Sequence, residues 1–180
     1  MKYLIMCEGT DELAVINILL DNDMLKISRD DLLGLQAYHA RQIDKSVVVQ
    51  TELRLYPYKD IEILRIGDKQ GDELKIPREF KDKLSKERIK KYCTKPELEI
   101  LFIISDSLLD KYEKEKSYVK ASEFAKKEIK FKREKYSKSV KFYEDYFEGR
   151  PELLAELLRK YKQINGSHKK DELYLCDLLK

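Results

Sequence analysis

The chain has no tryptophan, only two histidines and only three cysteines in its 180 residues. Cys7, Cys93 and Cys176 are odd in number and far apart, and no pair has metal-ligand spacing. Neither a disulfide framework nor a zinc site is therefore expected, and the thiols read as buried and reduced. Long hydrophobic runs are also missing. Nothing approaches the roughly 20 consecutive apolar residues of a membrane span, and the stretch before Glu8 is too short for the apolar core of a secretion signal. The expectation is a cytoplasmic protein that does not engage a membrane. Glycine and proline are sparse, at six and four, and no Gly-rich phosphate loop, serine nucleophile elbow or His-Glu zinc motif occurs. Charge of one sign is lacking as well: 37 Lys and Arg against 34 Asp and Glu leave a net charge of +3. A whole-chain field that weak does not by itself mark a nucleic-acid binder.

Balanced charge and apolar residues are abundant. Charged residues make up 39% and hydrophobic ones 42%, and a chain of this length can bury a core of its own. The charge is unevenly spread. Between Lys111 and Lys141 twelve Lys and Arg face five acidic residues, interleaved with Tyr112, Tyr118, Phe124, Phe131 and Tyr136. Such a stretch can hold phosphates and stack bases, or it can be a solvated helix that buries its aromatics, as the seven-residue spacing of Phe124 and Phe131 suggests.

The element pattern alternates between strand and helix. Tyr3 to Cys7 reads as a buried strand ending at Glu8-Gly9, and Thr10 or Asp11 caps an amphipathic helix to about Leu20. Residues 24–46 read as a loop with a short helix, and Val47-Val48-Val49 suits either a strand or the apolar side of a helix. Ile61 to Ile66 alternates like a strand and ends in Gly67-Asp68. A charged stretch from Arg78 to Tyr92, after Pro77, reads as a helix. Glu99 to Ile104 reads as a central parallel strand, buried on both faces and ending in Ser105-Asp106-Ser107. Further helices are expected within 116–136, over 138–147, and from Pro151 to Ile164. The sum is an α/β fold: a mainly parallel sheet of about four strands flanked by helices, Rossmann-like in kind, with residues 1–125 as the α/β domain and 126–180 as a helical C-terminal extension.

In such sheets the functional crevice lies at the carboxyl ends of the strands. Glu8, Asp68 and Asp106 all fall at expected carboxyl ends, with Asp110 one turn beyond Asp106. Carboxylates gathered at one edge repel each other unless a cation neutralises them, and hard oxygen ligands of this kind suit Mg²⁺ or Mn²⁺. The bland alternative is that each is a solvated turn or cap residue. His39 admits the same two readings. So does Lys169 with Lys170, in the polar loop Gly166 to Lys170, where a lysine could be catalytic or contact phosphate or simply face water.

Leu4-Ile5-Met6-Cys7-Glu8-Gly9-Thr10-Asp11-Glu12 resembles the first motif of the Toprim fold: an apolar strand, Glu-Gly, then an acid three residues after the glycine, here Glu12. The resemblance spans roughly residues 1–125, and its nearest character is that of the OLD-type nucleases. It implies a parallel sheet, Mg²⁺ held by acidic residues, and chemistry on DNA or RNA backbones, with a role in DNA processing or phage defence. Glu8 would be a metal ligand or general acid/base and Glu12 an auxiliary ligand. The family's second motif is Asp-x-Asp, and Ser105-Asp106-Ser107-Leu108 keeps only its first Asp, leaving Asp110 as the candidate substitute. Asp68 would lie at the end of a middle strand, with Lys69 and Lys75 near phosphates and Lys170 joining them. The function expected on this basis is Mg²⁺-dependent nuclease or related phosphodiester chemistry on nucleic acid. Two alternatives stay open: a non-catalytic module of the same fold that binds nucleic acid or a protein partner, and an unrelated α/β enzyme for a small phosphorylated ligand.

Overall fold

The computed structural model describes residues 1–68, 72–94, 98–164 and 172–180. Five parallel strands form the main sheet: β1 (Lys2–Cys7), β2 (Tyr38–His39), β3 (Ile61–Gly67), β4 (Ile89–Cys93) and β7 (Glu172–Tyr174), in the order β2-β1-β3-β4-β7. The helices are α1 (Thr10–Asp21), α2 (Val47–Leu55), α3 (Ile100–Ser105), α4 (Leu109–Glu115), α5 (Ala121–Glu128), α6 (Val140–Phe147) and α7 (Pro151–Ile164). A two-residue hairpin, β5 (Lys130–Phe131) with β6 (Glu134–Lys135), sits between α5 and α6. The α/β architecture with a parallel sheet is as expected, with five strands rather than about four. No helix among the described residues is long and apolar enough to cross a membrane.

Strand alternation explains the layering. Leu4, Met6, Ile61 and Ile63 point to one face, where they meet Val49 and Leu53 of α2 together with Phe80 and Leu84. Ile5, Cys7, Leu64 and Ile66 point to the other, against α1, α3, α5, α6 and α7. Because β1 has paired neighbours on both sides and helices on both faces, it needs an unbroken apolar run, and Leu4 to Cys7 are all buried. Residues beyond 125 belong to this same core: Tyr143, Leu154 and Leu158 pack on the second face, and β7 extends the sheet beside β4.

Two elements differ from the sequence expectation. The run 99–104 is not a strand but leads into helix α3, in which Ile100, Leu101, Phe102 and Ile103 are buried in succession. A five-residue apolar run satisfies a buried strand and a fully enclosed helix equally well. Here the aromatic neighbours favour the helix, with Phe102 packed against Tyr136, Phe142, Tyr143, Tyr146 and Phe147 at centroid distances of 4.8 to 5.7 Å. The stretch 78–92 is not one helix either. Two 3-10 turns, Arg78–Phe80 and Lys86–Arg88, lead into β4. The Lys-rich sequence of β4 is tolerated because Lys90 pairs with Glu62 of the adjacent β3 at 2.8 Å. The two readings offered for Val47 to Val49 resolve to a helix, capped by Ser46 Oγ accepting from the Val49 N–H.

Candidate functional site

The chain runs from β1 outward to β2 and then returns past β1 to β3, so the crossovers diverge between β1 and β3. In a sheet of this kind that divergence opens a crevice at the carboxyl ends. Glu8 and Gly9 follow β1 there, Gly67 and Asp68 end β3, and Thr94 follows β4. Backbone bonds fix the edge: the Glu8 N–H donates to Ile66 O at 2.8 Å, the Ala40 N–H to Cys7 O at 3.0 Å, and the Thr94 N–H to Gly67 O at 3.2 Å.

Two glycines make room for carboxylates. A Cβ on Gly67 would stand 2.6 Å from both Cβ and Oε2 of Glu8, so the Glu8 side chain lies across the end of β3. A Cβ on Gly9 would stand 2.4 Å from both Asp11 Oδ1 and Glu12 Oε2, so these two oxygens converge on one point. Asp11 and Glu12 open the first turn of α1, where the helix dipole favours negative charge, yet they are only 2% and 7% exposed. Asp11 Oδ1 is buried and, among the described residues, receives no hydrogen bond. Thr94 donates its hydroxyl to Glu12 Oε1 at 3.1 Å. Burial, then the adjoining Asp11 carboxylate, pushes Glu12 up to about 8. The same surroundings, burial first and then Glu12 and Asp11, push the fully buried Cys7 thiol well above its ordinary value.

Cations close the cluster from two sides. Lys138, on the loop entering α6, puts Nζ 3.1 Å from Asp11 Oδ2 and 3.9 Å from Glu99 Oε1. Glu99 is fully buried and accepts a 3.0 Å bond from Tyr136 Oη. Burial alone would lower Lys138, but Asp11 and Glu99 outweigh it and raise the ammonium above its usual value. On the other side Arg41 lies 3.3 Å from Glu8 Oε1 and 2.5 Å from Asp72 Oδ2. Buried Arg65 donates to the Asp72 carbonyl at 2.6 Å; burial lowers its pKa despite the nearby Glu8 and Asp72 carboxylates. The His39 ring nitrogen Nε2 is 3.2 Å from Glu8 O.

The result is two adjoining clefts that share Glu8 and His39. One, of about 380 Å³, is lined by Glu8, Asp11, Glu12, Asp68, Glu99 and Lys138. The other, of about 760 Å³, carries Arg41, Lys45 and Lys75 beside Asp44, Asp72 and Glu73. Of the residues expected from sequence, Glu8, Glu12 and Asp68 meet at one edge, and Lys75 borders the neighbouring cleft. Asp106 does not stand at a strand end, because its strand is a helix. It is the exposed C-cap of α3, its Oδ1 accepting from Tyr146 Oη at 2.8 Å. Asp110 is exposed in the first turn of α4. Neither lines either cleft. Lys69, Lys169 and Lys170 lie outside the described residues. Sequence reasoning missed Asp11, Glu99, Arg41, Arg65 and Lys138. The available signal was Glu99 itself, a lone acid at the head of an apolar run that must be paired if buried.

Among the described residues no group of three His, Cys, Asp or Glu side chains is close enough to form a ready-made metal cage. The donor set nevertheless fits a hydrated hard cation. Asp11 Oδ1 is an orphaned buried carboxylate oxygen that converges with Glu12 Oε2, and Mg²⁺ is commonly bound through one or two carboxylates while keeping several waters. Set beside known proteins, the chain matches no family model, no curated protein and no solved structure.

Proposed function

We propose that this chain is a Toprim-like, divalent-cation-dependent enzyme that processes phosphodiester bonds in DNA or RNA. The observation that carries this reading is the convergence of Asp11 Oδ1 and Glu12 Oε2 over Gly9 at the carboxyl end of β1, with Asp11 Oδ1 buried and lacking a hydrogen bond. In this reading Asp11 and Glu12 hold Mg²⁺ or Mn²⁺. The bound ion would stabilise the oxygens of a displacement at phosphorus. Glu8, the partly exposed carboxylate of the edge with 18% of its side chain accessible, is the group that solvent water reaches, and it acts as general base. Gly67 and Arg41 orient it. Thr94 fixes the rotamer of Glu12. Arg41, Lys45 and Lys75 in the larger cleft bind the phosphates that flank the reacting one. Asp68 borders the site as an auxiliary ligand.

The test is cleavage of labelled single- and double-stranded DNA and RNA with Mg²⁺ or Mn²⁺. Glu12→Gln and Glu8→Gln are each expected to lose activity by roughly 10²-fold or more. Undiminished cleavage in both variants overturns the site.

A second reading is favoured by one specific observation. Glu8 already shares Arg41 with Asp72, an arrangement that suits a module of the same fold that binds nucleic acid or a protein partner without catalysis. Nucleic-acid binding that persists with no cleavage under any cation supports that reading instead.

A further inference from the structure

The loop that leads from β6 into α6 returns two side chains to the sheet edge. Tyr136 Oη donates to Glu99 Oε1 at 3.0 Å, and Lys138 Nζ approaches Asp11 Oδ2 at 3.1 Å and Glu99 Oε1 at 3.9 Å. The carboxylates are sealed, with Asp11 2% and Glu99 0% exposed, while the Lys138 side chain is 53% exposed. The ammonium therefore enters from solvent and satisfies one oxygen of Asp11. The other oxygen, Oδ1, stays buried without a hydrogen bond and faces Glu12 across Gly9. A buried carboxylate oxygen in that condition costs free energy unless a ligand completes it. The cluster thus has one side already filled by a cation and one side waiting for one.

We infer that Lys138 is a tethered cation: its ammonium occupies the Asp11–Glu99 side, where a second divalent ion would otherwise sit, and restricts the cluster to a single ion on the Asp11–Glu12 side. This role of Lys138 rests on the cation reading of the site proposed above. Geometry supports it. The ammonium stands against Asp11 Oδ2 and Glu99 Oε1, whereas the two oxygens that converge over Gly9 are Asp11 Oδ1 and Glu12 Oε2. A divalent ion placed against the same oxygens as the ammonium would be repelled by it at close range, so the side that Lys138 fills is closed to a second ion. Lysine suits the position because it is a compact point charge on a flexible stem, with no need for the bidentate geometry of arginine. The C-terminal half of the chain thereby supplies the cation that the N-terminal carboxylates lack.

Calorimetric titration of Mn²⁺ into the full chain tests this, with wild type, Lys138→Met and Lys138→Arg compared and melting temperatures followed in parallel. Wild type and Lys138→Arg are expected to bind one Mn²⁺. Lys138→Met is expected to bind two, and to melt lower without metal but recover when Mn²⁺ is added. A Lys138→Met chain that folds only with Mn²⁺ supports the same conclusion, since the ion then replaces the ammonium. Lys138→Met with wild-type stoichiometry, or one that stays unfolded even with Mn²⁺, overturns the role of Lys138 while leaving the cation site standing. Failure of all three proteins to bind Mn²⁺ overturns the cation reading itself.

Discussion

Thr94 donates its hydroxyl to Glu12 Oε1 at 3.1 Å, joining the end of β4 to the first turn of α1 across 82 positions of sequence. Both residues are buried, so water cannot replace the bond. Thr94→Val keeps the shape and removes the donor. It is expected to destabilise the fold by about 1–3 kcal/mol, the usual cost of orphaning a buried polar group. Urea unfolding checks it, and an unchanged midpoint would mean that the bond contributes nothing.

Gly67 positions Glu8. Its missing side chain is what lets Glu8 lie across β3, with both Cβ and Oε2 of Glu8 2.6 Å from where a Cβ would stand. Gly67→Ala is expected to push the Glu8 carboxylate off its place and away from Arg41, and to lower the melting temperature as well, because the contact with Glu8 Cβ cannot be relieved by a rotamer change. If the proposed function holds, misplacement on the scale of 1 Å costs roughly 10²-fold in cleavage rate, measured at a temperature where the variant is folded. Unchanged cleavage by the folded variant would point to a purely structural glycine.

The pH dependence of stability has an identifiable contributor at the far end of the sheet. Burial alone would raise Asp177, but the Lys162 ammonium at 2.6 Å and the Tyr174 N–H at 2.9 Å outweigh it and hold the carboxyl below its ordinary value. A depressed folded-state value means that the stabilisation is complete above the unfolded pKa, about 3.9, and is lost as pH falls through the lower folded value. Asp177→Asn is therefore expected to cost about 1 kcal/mol at neutral pH and progressively less in strong acid. A difference from wild type that stays constant down to acid pH would contradict this.

The β5–β6 hairpin carries local strain. Lys132 and Arg133 form its two-residue turn with φ of 47° and 72°, the left-handed region that a primed hairpin turn requires and that side chains disfavour. Arg133→Gly is expected to stabilise the protein by about 1 kcal/mol, read as a rise in the urea midpoint. A fall would show that Arg133 makes contacts worth more than the strain it bears.

What could be read from the sequence was whatever has a local cause. The step from β1 through Glu8-Gly9 to α1 was visible because an apolar run, a turn and helical periodicity follow one another within twenty residues. Helix α7 was visible because Pro151 starts it and leucines stripe it, and it spans Pro151–Ile164 as expected. Misreadings arose where the cause was distant. Ile100 to Ile104 is apolar because an aromatic cage surrounds Phe102, and five residues cannot reveal whether their neighbours form a sheet or a cage. Strand β4 was obscured by Lys90 and Lys91, whose place in the sheet becomes plain only beside Glu62. Half of the candidate site was legible in the sequence, Glu8 and Asp68 from their places at strand ends and Glu12 from the resemblance of the first motif alone. Asp11, Glu99 and Lys138 were not, since nothing near any one of them in sequence announces the other two.

That scattering bears on how the edge is held together. Asp11, Glu99 and Lys138 meet only where α1, the head of α3 and the approach to α6 dock on one another, so no single element carries the cluster with it. A substitution that loosens any one of these dockings would part the ammonium from its carboxylates, however far it lies from the sheet edge.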